Sequence, residues 1–227
     1  MFTFRSHVQP GRSHLVLRKD CQDRLCYRHG GGIHVMAISD GVGSRPLSEF
    51  GATALAQSAS LLAFDKAREG LGPAEVGQSL LAEVPKILSG VVSVLGLQDP
   101  RDAGEATLLL CVLTPTWTCL WHSGDGFAAV DQQIFAWDVW AESKPLAIDG
   151  GNQWLHQVEV FDTNKIGQGV FLASDGLRHF PGGIKSLASR MSFDPQVFHS
   201  DRDFGYLFSS KEERLLDDVS VGLLLRA

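Results

Sequence analysis

The chain has 227 residues, 44% hydrophobic and 20% charged, a balance that supports one sizeable core and excludes a disordered or low-complexity scaffold. Lys and Arg number 20 against 26 Asp and Glu, a formal net charge of −6, so no positive field exists to hold a nucleic-acid backbone nonspecifically. The longest apolar runs, Thr107 to Leu113 and Val221 to Leu225, fall far short of the roughly 20 residues that cross a bilayer, and Met1 to Gly11 lacks the apolar core of a secretory leader. The expectation is a single cytoplasmic domain over 1–227, with no membrane or nucleic-acid partner.

Ile33 to Ser39 reads as a buried strand stopped by the turn Asp40-Gly41-Val42-Gly43. From Leu47, residues Phe50, Ala54, Leu55, Ser58, Leu61 and Leu62 recur at helical spacing. A second helix starts at Pro73, with Leu80, Leu81, Val84 and Leu88 on its buried face and Pro85 as a point of kinking. These two helices are expected to pair. After a loop from Gly96 to Gly104, Ala106 to Leu113, Trp117 to His122, Phe127 to Val130 and Ile134 to Trp137 read as short strands of an antiparallel meander. Ser143 to Gly151 reads as a loop, Trp154 to Phe161 and Gly169 to Ser174 as strands, the stretch after Gly183 as a short helix, and Val219 to Leu225 as the last strand. Strands in runs and helices in pairs argue for an α+β fold with helices on antiparallel sheets.

Cys21 and Cys26, and Cys111 and Cys119 on neighbouring strands, have neither zinc-knuckle nor disulfide-framework spacing and read as reduced thiols. The five tryptophans read as core, and His7, His29, His34, His122, His156, His179 and His199 as structural or surface residues.

Three strand-like runs end alike, at Asp40-Gly41, Gly124-Asp125-Gly126 and Asp175-Gly176, and a fourth acidic pair, Asp217-Asp218, opens the last strand. Any single Asp-Gly is more often a hairpin turn than a ligand. Repeated at strand ends, however, the pattern presents short, sheet-held carboxylates whose mutual repulsion a hard cation such as Mg²⁺ or Mn²⁺ relieves. No His/Cys spacing points to zinc.

In chain order, Cys21-Gln22-Asp23, Ala37-Ile38-Ser39-Asp40-Gly41-Val42-Gly43-Ser44, Gly51-Ala52, Gly104-Glu105-Ala106-Thr107, Ser123-Gly124-Asp125-Gly126, Leu172-Ala173-Ser174-Asp175-Gly176-Leu177 and Asp217-Asp218-Val219-Ser220 resemble the ordered motifs of the metal-dependent type 2C (PPM) serine/threonine protein phosphatases. The resemblance is strongest to their compact bacterial branch and spans Ser13 to Leu225. It implies a β-sandwich of two antiparallel sheets flanked by helices, four layers in the order α-β-β-α, with a binuclear Mn²⁺ or Mg²⁺ centre at one end. By the same resemblance Asp40 bridges both metals, Gly41 offers its carbonyl, and Asp175 and Asp217 supply the remaining carboxylates. Asp23 then acts directly or through metal-bound water, Asp125 lies near a weaker third metal, and Arg18, five positions before Asp23, matches the phosphate-binding Arg.

The implied reaction is hydrolysis of phosphoserine and phosphothreonine in proteins, by in-line attack of a metal-bridging water without a phosphoenzyme. A phosphoprotein substrate and a cognate Ser/Thr kinase are the implied partners. No Cys-x5-Arg loop of a cysteine phosphatase is present. The chain departs from the family where Val42 replaces a His that is a candidate general acid, with His14 as its candidate substitute, and where Asp218 replaces an Asn. Gly126 and Phe127 stand for Ser and Arg, and Ser143 to Gly169 shows neither the Asp-His-Ser motif nor the flap. These departures keep open a catalytically silent module that binds a phosphoprotein or a kinase; a hydrolase of small phosphoesters is a third reading.

Overall fold

The computed structural model describes residues 1–137, 154–179, 204 and 215–226. The elements run β1 (Phe2–Gln9), α1 (Arg12–Leu17), β2 (Asp23–Gly30), β3 (Ile33–Asp40), α2 (Ser48–Arg68), α3 (Pro73–Leu95), α4 (Arg101–Gly104), β4 (Leu108–Leu113), β5 (Trp117–Ser123), β6 (Gly126–Val130), β7 (Gln133–Trp137), β8 (His156–Asp162), β9 (Gly169–Ala173) and β10 (Val219–Arg226). Among the described residues they form two five-stranded antiparallel sheets, ordered β1-β10-β9-β6-β7 and β2-β3-β4-β5-β8.

The period-2 alternation of the buried strands builds the layers. On β4, Leu108, Leu110 and Val112 join Val35 and Ala37 of β3 under the helices, while Leu109, Cys111 and Leu113 join Met36 and Ile38 between the sheets. The inter-sheet layer is completed from the other side by Ala128, Val130, Val170, Leu172 and Leu224. α2 and α3 cover the β2–β8 sheet through a narrow seam of Ala52, Ala56, Ala59 and Ala63 on α2, with Val76, Leu80, Val84 and Leu88 on α3. The small residues of α2 let its axis come close to the strands, and the larger α3 side chains fill the outer gap. On the far face of the other sheet, Phe171, Val219, Val221 and Leu223 pack with Leu177, Phe204 and Leu215.

The two expected helices pair as α2 and α3, and α3 runs unbroken through Pro85, held on either side by buried Val84 and Leu88. α3 is the one described helix long and apolar enough to cross a bilayer, and its Val76, Leu80, Val84 and Leu88 are core residues here. Three expectations are corrected. The Gly96 to Gly104 loop ends in the short helix α4. The middle strands are not one meander: β4 and β5 belong to one sheet and β6 and β7 to the other, because the chain crosses between sheets at Gly124-Asp125. Strands β1 and β2 and helix α1 were not expected from the pattern at all. β2 hides its periodicity because Arg24 and Arg28 lie over α2, donating to Thr53 Oγ1 at 2.9 Å and Ser60 Oγ at 3.1 Å where apolar side chains would otherwise sit. The loop Ser143 to Gly151, the helix after Gly183, Trp140 and His199 lie outside the described residues.

All four cysteines are free; Cys111 faces the inter-sheet core and Cys119 the helix side, so adjacent strands hold them on opposite faces. Burial pushes the Cys21 and Cys119 thiols up to about 12. Trp121 and Trp154 are buried in the layer under the helices and Trp117 packs against it, while Trp137 stacks on His122 at 4.3 Å.

This packing gives a direct test. Leu80→Ala is expected to destabilise the fold by about 2–5 kcal/mol, read from urea unfolding, because its cavity opens between a helix and a sheet that cannot collapse together. Val94→Ala on the same helix, 88% exposed, is expected to cost no more than about 0.5 kcal/mol.

Candidate metal centre

The carboxylates reach one end of the sandwich from separate strands. Asp23 opens β2 and Asp40 closes β3, and the register of the pair sets them directly opposite each other. Asp175 follows the end of β9, Asp217 and Asp218 precede β10, and Asp125 occupies the crossover between β5 and β6. The backbone of Asp40 is pinned by Thr107: its N–H donates to Thr107 Oγ1 at 3.1 Å, its carbonyl accepts from the Thr107 N–H at 2.8 Å, and Ser39 Oγ donates to the Thr107 carbonyl at 2.7 Å. Gly41 then bridges to Ala106, which accounts for the Gly104 to Thr107 motif. The two sheets are tied at this end by Ser174, whose hydroxyl donates to Asp23 Oδ2 at 2.6 Å and accepts from the Ser220 N–H at 2.9 Å.

The start of β10 is fixed by close approach. A Cβ on Gly11 would lie 2.2 Å from the Asp217 carbonyl carbon, and one on Gly176 would lie 1.9 Å from the Asp218 carbonyl oxygen. Only hydrogen fits at either place. Asp218, which stands for the family's Asn, is buried: Oδ1 accepts from the Gly11 N–H at 2.7 Å and Oδ2 from the Gln22 N–H at 2.5 Å. Its carboxylate thus joins the segment before α1, the residue before Asp23 and the residue after Asp217. Gln22 in turn donates through Nε2 to Ser48 Oγ at the start of α2, at 2.5 Å.

Burial dominates the electrostatics. It pushes the Asp23 carboxyl up to about 7 against the lowering effect of the Ser174 hydroxyl, with Asp218 and Asp175 adding repulsion. Asp40 is raised well above the ordinary carboxylate range by burial and then by Asp23, Asp175 and Asp217. Asp175 is raised by burial and then by Asp125 and Asp217, with Arg178 opposing. Asp23 is fully buried; its Oδ1 accepts from no N–H or hydroxyl among the described residues, and its carboxyl lies within hydrogen-bond reach of the Asp40 carboxyl alone among the acids.

Electrostatic contact links Asp40 to Asp23, Asp175 and Asp217, and Asp175 in turn to Asp125 and Asp217. Arg18 stands apart from this list: it is exposed at the end of α1 in the left-handed region, φ 54°, and no contact with these carboxylates is among the described ones. Sequence reasoning missed Arg178, whose Nη2 lies 3.7 Å from Asp125 and 3.9 Å from Asp175. Its only signal is the three-residue step after Asp175, which a one-turn 3₁₀ helix converts into proximity. Gly126 has a physical reason to replace Ser. At φ 132° a Cβ there would meet Leu109 at 2.8 Å and the Ala173 carbonyl oxygen at 3.1 Å.

Residues 10–202 match the family described as protein phosphatase 2C. The chain belongs to the protein phosphatase 2C family. Solved structures with the same fold include the serine/threonine phosphatase of S. agalactiae, at TM-score 0.70 and 13% identity over 99% of each chain. Stp1 of Staphylococcus aureus follows at TM-score 0.68 and 11% identity, covering 100% of this chain and 96% of that one. PppA of Pseudomonas aeruginosa, described as a key regulatory component of T6SS, superposes at TM-score 0.65 and 17% identity over 100% and 97%. No curated protein matches the chain. Its two five-stranded sheets share the fold of these phosphatases.

The family is metal-dependent, and the donor set of this phosphatase-family chain suits a divalent cation: all-oxygen, held on strand ends, with an orphaned buried oxygen on Asp23. The same raised carboxyls predict how the chelated protein responds to pH. Between the ordinary carboxylate value of 3.8 and about 7 the native state holds protons that the unfolded chain has released, so stability falls as pH rises through this window. In chelator, His34 and His122, held down by burial, work the other way, so the expected signature is a difference: raising the pH from 4 to 7 lowers the melting temperature of the parent relative to that of Asp23→Asn, and parallel profiles for the two contradict the raised Asp23 carboxyl.

Proposed function

We propose that this chain hydrolyses phosphoserine and phosphothreonine esters of phosphoproteins at a centre of two Mn²⁺ or Mg²⁺ ions, with a weaker third near Asp125. The observation that carries this reading is the gathering of buried and half-buried carboxylates from four different strands, with Arg178 the one cation in contact with them among the described residues. Such an array is costly without divalent counter-charge. Asp40, the Gly41 carbonyl, Asp175 and Asp217 would hold the pair, with Asp23 supporting Asp40 from behind. When bound, the ions supply Lewis-acid polarisation of the phosphoryl oxygens and a water nucleophile available at neutral pH.

The rest of the work falls to the chain itself. Thr107 and Ser174 hold Asp40 and Asp23 in place, so the charge array is set before substrate arrives and needs no reorganisation. Arg178 and Arg18 are the cations proposed to receive phosphoryl oxygens, for which a guanidinium fork is suited. Val42 carries no proton, so Asp40-Gly41-Val42 contributes no acid to the leaving alkoxide. A cognate kinase is the natural opposing partner.

Release of phosphate from a phosphothreonine peptide is expected to be lost in chelator, restored by Mn²⁺, and reduced by at least about 10²-fold in Asp40→Asn, the scale for removing preorganised charge from a reaction centre. Arg178→Ala is expected to raise KM for the phosphopeptide more than it lowers kcat. Mn²⁺ binding with no turnover of phosphopeptides or small phosphate esters assigns the chain to the catalytically silent class instead; turnover of small esters alone assigns it to the phosphoesterases.

A further inference from the structure

At the Asp217 end of the centre the fold adds a donor of a different kind. His14, on α1, is 7% exposed, and its Nδ1 lies 2.8 Å from Asp218 Oδ1. That contact lacks the geometry of a hydrogen bond, and Nδ1 has no hydrogen-bond partner among the described residues. Asp217 completes the group: one ring nitrogen of His14 and one carboxylate oxygen each of Asp217 and Asp218 lie within 4.8 Å of one another. Asp217 is exposed, which leaves a way in from solvent.

The chemistry of this trio is unlike that of the all-oxygen array beside it. Each Asp218 oxygen already accepts one backbone N–H, and a carboxylate oxygen has a second lone pair to offer, so Asp218 can coordinate without releasing Gly11 or Gln22. His14 Nδ1 and Asp218 Oδ1 lie 2.8 Å apart without hydrogen-bond geometry, close enough for a deprotonated imidazole and the carboxylate to turn one lone pair each toward the same cation. Mg²⁺ keeps to oxygen and gives up water reluctantly, whereas first-row transition ions accept imidazole readily. The geometry points to His14 Nδ1, with oxygens of Asp217 and Asp218, as a mixed nitrogen–oxygen site for a divalent transition ion, so that this end of the centre takes Mn²⁺ in preference to Mg²⁺. The inference rests on the reading of Asp217 as a metal carboxylate and goes beyond it in naming a nitrogen ligand. It also gives His14 a ligand role in place of the general-acid role expected for it. The lack of His/Cys spacing could not reveal the site, because Gly11 and Asp218, which bring its parts together, are 207 positions apart.

The test uses the full chain stripped with chelator and loaded with Mn²⁺ alone. Pulsed electron paramagnetic resonance on the parent protein is expected to show the ¹⁴N modulation of a directly bound imidazole, and His14→Gln to abolish it. By calorimetry His14→Gln is expected to weaken Mn²⁺ binding by about tenfold or more, the scale seen for partners even one shell further out, while Mg²⁺ binding changes by less than about twofold. The parent spectrum stands whether or not the variant folds. Mn²⁺ bound without ¹⁴N modulation overturns the inference and leaves the all-oxygen reading in place. Equal weakening of both ions in the variant overturns it too, since His14 then acts only through the fold. Failure of the parent protein to bind Mn²⁺ at all removes both readings.

Discussion

Asp23 and Asp40 face each other across the β2–β3 pair, the first residue of one strand against the last of the next. In water two carboxylates at that separation would ionise and part. Here the ladder between the strands holds their backbones, Ser174 holds Asp23, and Thr107 holds Asp40. The sheets therefore do more than present ligands. They sustain a repulsion that burial makes larger, and the raised carboxyls of Asp23, Asp40 and Asp175 are its signature. Everything else at this end of the molecule, from the glycines around Asp217 to the hub at Asp218, serves to keep that array from relaxing.

The positions that resist relaxation are the small and hydroxylated ones. Gly11 and Gly176 admit no Cβ, and Thr107 and Ser174 contribute short side chains with few conformations to lose. That explains why the recognisable motifs of the chain are short runs around Gly, Ser, Thr and Asp rather than long stretches. The large apolar residues of the helices and strands can exchange for others of similar volume, as the 11–17% identity to structures of the same fold illustrates.

Much of this was legible in the residues. Asp-Gly at the ends of apolar runs pointed to Asp40, Asp125 and Asp175, and β3, β4, β9 and β10 stood out as continuous apolar runs because these strands are buried on both faces or nearly so. The edge strands β1 and β2 did not. β1 and β2 are half-buried, and β2 turns arginines toward α2, so neither shows an apolar period. The assignment of middle strands to two sheets was hidden for a different reason: a crossover and a hairpin look alike when both are written Gly-Asp-Gly. His14 and Arg178 carry no local pattern. One becomes part of the centre through pairing of distant segments, the other through a single 3₁₀ turn.

The pairing of β1 with β10 also has a temporal side. Val8 opposes Ser220 and Gln9 opposes Val219, while Asp218 accepts from Gly11, 207 positions away. Closing so long a loop is slow, and contacts of this span form late. The hairpin β2–β3, the helix pair and β4–β5 involve near neighbours in the chain and can assemble without β10. Asp217 thus enters the array through the contacts of longest span, those that join β10 to the rest of the chain. Without β10 docked, β1 would lose its one strand partner among the described residues and β9 one of its two, leaving ladder edges of the kind that pair with other chains.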